Sequence, residues 1–178
     1  MRFIRLLTLM GIAAAAVAIV IVSRADNDPA PTPSTAETAR VEWVIDGDTV
    51  DLIIGGEQER VRLIGVDAPE SVSRDTPIQC FGQEAATALK GLLPVDSVVR
   101  IERDRESRDR FGRLLLYVYR AEDDLFVNEW LVINGYGDTL FFEPNTGYRS
   151  SFTEHRNAAR SAPLGLWAEC EGPDQPLE

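Results

Sequence analysis

The chain has 178 residues, 26% charged and 44% hydrophobic, which suits one globular domain and argues against wholesale disorder. Lys and Arg total 18 against 29 Asp and Glu, a formal net charge of -11, which excludes a blanket polyanion-binding surface. Any recognition of a polyanion must therefore be local, and the lack of long repeated blocks excludes a solenoid or propeller.

Arg2 and Arg5 precede an uncharged apolar run from Leu6 to Val22, and Ser23-Arg24-Ala25 carries small residues at the two positions that a signal peptidase reads. Residues 1–25 are expected to be a signal peptide cleaved near Ala25, or an uncleaved N-terminal anchor. In either case the remainder is exported. Residues 26–39 (DNDPAPTPSTAETA) show no apolar periodicity and are expected to form a disordered linker. The folded domain is expected over 40–171, with a flexible tail over 172–178.

The β-branched runs at 41–45 and 49–54 predict two strands, the second ending at Gly55-Gly56, a hairpin signal. The alternation at 60–66 predicts a third. Pro69 and Pro77 make 67–81 a loop, and 82–93 (GQEAATALKGLL) predicts a helix stopped by Pro94. Residues 97–101 and 114–119 predict strands four and five, joined by a charged segment. A short helix is expected over 127–134, ended by Gly135, and Ser151-x-x-Glu154 has the capping-box spacing of a last helix running to about Ala162. This order predicts a mainly-β α+β fold, an OB-fold five-stranded antiparallel barrel with three helices. Cys80 and Cys170 in an exported chain predict a disulfide, with two buried free thiols as the alternative.

Charge-bearing chemistry concentrates in four places. Asp46-Gly47-Asp48-Thr49 lies between the first two strands, and Asp67-Ala68-Pro69-Glu70 follows the third. Either motif alone reads as turn chemistry. Together, at one end of a barrel, they offer an oxygen-only ligand set that suits a hard cation, Ca²⁺ or Mg²⁺. Arg62 stands inside the third strand, and 100–113 (RIERDRESRDRFGR) is rich in both Arg and acids. Most of that segment reads as a solvated hairpin laced with ion pairs. Arg113 differs, because Phe111-Gly112 can set a turn that aims its guanidinium, whose planar donors match phosphate oxygens.

The motifs VIDGDTVDL, VRLIGVDAPES, FGQEA, DRFGRLLLYVY, VNEWLVINGYG and GLW, in that order, resemble the staphylococcal nuclease-like (thermonuclease) family. The resemblance implies an OB-type barrel and a Ca²⁺-dependent endonuclease that hydrolyses DNA and RNA to 3′-phosphorylated products. It implies Asp48, Asp67 and the Ala68 carbonyl as Ca²⁺ ligands, with Asp46 in or just behind them. Glu70 would orient or deprotonate the attacking water, while Arg62 and Arg113 would hold the scissile phosphate. Arg110, standing where the family often has Lys, and Phe142 would contact substrate.

Departures fall in the binding segment: Phe142 has no hydroxyl, Leu140 cannot stack, and Glu143 adds a negative charge. The implied partners are DNA and RNA, with a membrane involved only if residues 1–25 are retained. A secreted or extracytoplasmic monomer is expected. The competing reading is a non-catalytic OB-type nucleic-acid or protein-binding module of the envelope.

Overall fold

The computed structural model describes residues 37–71, 77–170, 172, 173, 175 and 176. The expectations for residues 1–25, and for the linker as far as residue 36, lie outside these described residues. Among the described residues no helix is long and apolar enough to cross a membrane.

Strand β1 (Thr38–Val44) starts inside the expected linker, because Ala39 and Val41 already pack into the core. A register shift between Val41 and Trp43 changes the inward alternation, so Val44 is buried while Trp43 faces out. β2 (Thr49–Ile54) matches its expected span. Gly55 and Gly56 both take positive φ, 62° and 93°, as a two-residue hairpin turn of type I′ requires. That tight turn starts β3 at once (Glu57–Leu63), earlier than the alternation at 60–66 suggests. The expected end of that strand is lost because Gly65, at φ 80°, turns the chain away.

Helix α1 (Gly82–Leu92) buries Ala85, Ala86 and Leu89. Strand β4 (Val98–Arg108) runs through most of the segment expected to be a charged connection and pairs antiparallel with β5 (Leu114–Arg120). β6 (Leu125–Phe126) leads straight into α2 (Val127–Ile133), and α3 (Arg149–Ser161) and the short α4 (Leu166–Glu169) follow. The capping-box expectation fails. Tyr148 occupies the N-cap of α3, and the Ser151 hydroxyl donates back to the Tyr148 carbonyl at 3.1 Å.

The sheet order is β3-β2-β1-β4-β5-β6, and a parallel pairing of β3 with β5 closes the first five strands into a barrel. The OB-type fold is therefore present, with its closing ladder parallel. Asn128 fastens that closure from α2. Its side chain accepts the Val118 N–H at 2.9 Å and donates to the Ile64 and Leu116 carbonyls at 3.0 and 3.2 Å. The core fills the barrel with Val41, Leu52, Val61 and Leu116, capped by Leu89, Leu131 and Phe152 from the helices. Cys80 and Cys170 form the disulfide, with Cα atoms 6.1 Å apart. Within the segment expected to be a flexible tail, the Cys80 N–H donates to the Gln175 carbonyl at 2.7 Å, and Pro176 bridges Gln79.

Candidate active site

The β1–β2 turn, the loop after β3 and the β4–β5 turn meet at a cleft of about 230 Å³ lined by Asp46, Asp48, Thr49, Arg62, Asp67, Ala68, Glu70, Gln79 and Arg113. Small residues make the meeting possible. A Cβ on Gly47 would lie 2.5 Å from the Ala68 Cβ and 2.7 Å from that of Ala85, so only glycine lets the acidic turn rest on α1. At the same helix, a Cβ on Gly82 would fall 2.4 Å from the Glu70 carbonyl oxygen, and Gln83 Nε2 donates to the Ser71 carbonyl at 2.8 Å. The FGQEA motif is thus a platform under both acidic loops.

Each charged group on the platform is held by the chain around it. Asp46 Oδ1 accepts the Asp48 N–H at 3.1 Å, an Asx-type turn. Asp48 is buried; its Oδ1 accepts the Thr49 hydroxyl at 2.9 Å and its Oδ2 accepts the Ala68 N–H at 3.0 Å. Arg62, placed opposite Thr49 in the β2–β3 ladder, bridges Asp48 and Asp67, with Nη2 3.0 Å from Asp67 Oδ1. Asp67 is fixed through its backbone, which exchanges two 2.9 Å hydrogen bonds with Asp138. Burial pushes the Asp48 carboxyl up to about 7 against the pull of Arg62, and nearby Asp46 pushes the same way.

Arg113 reaches the cleft from the β4–β5 turn. Gly112 at φ 83° lets that turn close, but the aiming is done by Asp109. Its Oδ1 accepts the Phe111 and Arg113 N–H groups, each at 2.9 Å, and its Oδ2 accepts Arg113 Nε at 2.7 Å. Burial raises the Asp109 carboxyl, but the Arg113 guanidinium and these backbone donors outweigh it, leaving it below the usual carboxylate range.

The expected catalytic residues Arg62, Glu70 and Arg113 therefore share one cleft with the expected ligands Asp46, Asp48, Asp67 and Ala68. Phe142 lines a smaller cavity next door, with Leu140, Glu106 and Gly65, that shares Arg62 with the cleft. Arg110 lines neither cavity; its guanidinium lies 4.7 Å from the ring centre of Phe111, a strongly exposed aromatic. The charge of Glu143 is offset by Arg149, whose Nη1 lies 2.9 Å from it. Sequence reasoning missed Gln79 and the part that Asp109 plays in aiming Arg113. Asp109 had a readable signal, an acid four residues before Arg113, whereas Gln79 had none. Tyr117 and Tyr119, adjacent on one face of β5, are buried against Phe126 and Tyr148 rather than lining a groove.

An OB-type barrel that gathers carboxylates and guanidiniums in one polar cleft defines the class. The model of the staphylococcal nuclease homologue family matches residues 60–169, and the chain belongs to that family. It is 40% identical over 131 residues to a thermonuclease of Staphylococcus intermedius, covering 74% of this chain and 76% of that protein. A thermonuclease of Staphylococcus hyicus is 36% identical over 132 residues, with the same coverage. The endonuclease YncB of Bacillus subtilis is 35% identical over 131 residues, 72% of this chain and 61% of that one.

Proposed function

We propose that the protein is an exported, Ca²⁺-dependent endonuclease that hydrolyses DNA and RNA to 3′-phosphorylated products. The observation that carries this reading is the single cleft in which Arg62, Arg113 and Glu70 face Asp46, Asp48 and Asp67. The nuclease names of its relatives support the reaction class. The disulfide supports an oxidising compartment, as export through residues 1–25 would provide.

The cleft fits a cation by its charge and its donors. Its lining sets four carboxylates (Asp46, Asp48, Asp67 and Glu70) against two guanidiniums (Arg62 and Arg113), and Arg113 is already paired with Asp109. A phosphodiester would enter a net negative cleft, so a cation is needed to admit it. The available donors are all oxygen, which suits a hard cation. Among the described residues no three His, Cys, Asp or Glu side chains form a ready metal cage. An ion would be held by the carboxylates of Asp48 and Asp67, which Arg62 bridges here, and by the Ala68 carbonyl, with Asp46 close behind.

A bound Ca²⁺ supplies charge neutralisation and polarisation of a phosphate oxygen. The chain supplies the rest. Arg62 and Arg113 offer planar donors to the phosphate oxygens and stabilise charge that grows as water approaches phosphorus. Glu70 orients that water and accepts its proton, and the P–O5′ bond breaks to leave the phosphate on the 3′ side. A carboxylate is a weak base, with a reference pKa of about 4.3, so placement of the water is the larger part of what Glu70 contributes.

The test uses the full chain on denatured and duplex DNA and on RNA, with Ca²⁺ or a chelator, beside Glu70→Gln and Arg62→Ala. Ca²⁺-dependent cleavage that falls about 10²- to 10³-fold or more in both variants is expected. Binding without cleavage would replace the enzyme by an OB-type binding module.

A further inference from the structure

The proposed role of Glu70 demands a fixed main chain, because misplacing a catalytic group by about 1 Å costs on the order of 10²-fold in rate. One residue holds that main chain by two hydrogen bonds. The Glu70 N–H donates to Gln79 Oε1 at 2.7 Å, and the Glu70 carbonyl accepts the Gln79 N–H at 2.9 Å. Both main-chain polar groups of Glu70 are thus gripped by Gln79, one by its side chain and one by its backbone. The Gly82 backbone closes the third side against the same carbonyl.

Gln79 is itself held from the far end of the chain. It bridges Pro176, and its neighbour Cys80 donates to the Gln175 carbonyl at 2.7 Å. Cys80 is also bonded to Cys170, 90 residues downstream. Cys170 follows directly on α4, which is anchored by the fully buried Leu166. A covalent and hydrogen-bonded path therefore runs from the C-terminal segment through Cys80 and Gln79 to Glu70.

Resting on the nuclease reading above, we propose that Gln79 is a positioning residue for Glu70 and that the Cys80–Cys170 bridge, with the Gln175–Pro176 pairing, holds Gln79 in place. The oxidised bridge then sets turnover as well as stability. A disulfide that served stability alone would lie anywhere its loop could close; this one is adjacent in sequence to the residue that grips Glu70.

The experiment measures kcat, KM and melting temperature of the full chain, well below the melting point, for Gln79→Ala, Gln79→Glu and the double variant Cys80→Ser/Cys170→Ser. Each is made in the wild-type and the Glu70→Gln background. Gln79→Ala is expected to lower kcat by about 10- to 100-fold with KM little changed. Gln79→Glu, which keeps an acceptor at the same reach, restores most of that loss. The cysteine variant lowers kcat in the same direction, and in the Glu70→Gln background none of these changes lowers it further.

If the cysteine variant does not fold, Gln79→Ala decides the part of Gln79, and kcat of the wild-type chain with and without a thiol reductant, well below the melting point, decides that of the bridge, an unchanged kcat on reduction overturning it. A lower melting temperature with unchanged kcat, or an equal fall in the Glu70→Gln background, would overturn the proposal. Failure of the nuclease reading is separate: it appears as a wild-type protein that does not cleave, or that ignores Glu70→Gln, and it removes this proposal with it.

Discussion

The acidic turn Asp46–Gly47–Asp48 and the arginine-rich strand β4 look alike in the sequence, each a cluster of charge beside a turn, yet the fold treats them oppositely. The acidic turn is packed from behind by Ala68 and Ala85, and its carboxylates line a cleft. In β4 three of the four arginines are spent on neighbours: Arg100 on Asp124, Arg103 on Glu37 and Arg108 on Glu59. Arg105 and Arg110 make no ion pair among the described residues. What separates a site from a decorated surface is the packing behind the charge. Density of charge does not distinguish them.

The sharpest way to break this contrast is to remove the packing while leaving every charge in place. Gly47→Ala adds a Cβ that meets two others at 2.5 and 2.7 Å, with Ala68 and Ala85 both on backbone that cannot swing aside. Overpacking of this kind costs about 1–3 kcal/mol. Displacing Asp46 and Asp48 from the cleft is expected to lower cleavage by on the order of 10²-fold. Denaturant unfolding and steady-state kinetics on the same preparation check both numbers. Cleavage at the wild-type rate would show that the turn's position is not what matters.

How far this contrast was legible in the sequence depends on range. Local pattern gave β2 and α1 almost to the residue, because β-branched runs and a Pro stop act over a few positions. It missed the span of β4, since past Ile101 the residues on both faces are polar or charged and the hydrophobic alternation stops. The carboxylates and guanidiniums of the cleft were readable by motif. Gln79 was not, because its role rests on a hydrogen bond across the loop and on a partner at Pro176, neither of which leaves a local trace. The alternation of Tyr117 and Tyr119 likewise marks one face of β5 but not what covers it.

A smaller effect is expected within the arginine segment itself, at the one arginine that does line the cleft. Asp109→Asn keeps an acceptor for the Phe111 and Arg113 N–H groups but loses the charge that holds Arg113 Nε. A fall in kcat of about tenfold, with the fold intact, is expected. The pH dependence follows from the sign of the shift. The folded-state value of Asp109 lies below the ordinary one of about 3.9, so its stabilising contribution is complete above that value. It is lost only as pH falls through the lower folded value. Activity lost between pH 7 and 5 must then come from another group, and the Asp109 carboxyl signal in a ¹³C NMR titration should stay ionised throughout that range.

The smallest effect belongs to the paired arginines, and it sharpens the comparison from the other side. Arg103 and Arg108 are 39% and 45% exposed and hold Glu37 and Glu59 by paired hydrogen bonds. Ion pairs at such exposure contribute about 0–1 kcal/mol, since water screens the attraction and two long side chains lose rotamer freedom to make it. Arg103→Ala and Arg108→Ala are therefore each expected to change stability by less than about 1 kcal/mol and to leave the rate of cleavage where it was. If instead either variant weakened substrate binding with a flatter dependence on salt, that arginine would be contacting phosphate in the complex. Its pair with the acid would then be a resting state that the polyanion displaces, and the outer face of β4 would join the site from which its ion pairs now separate it.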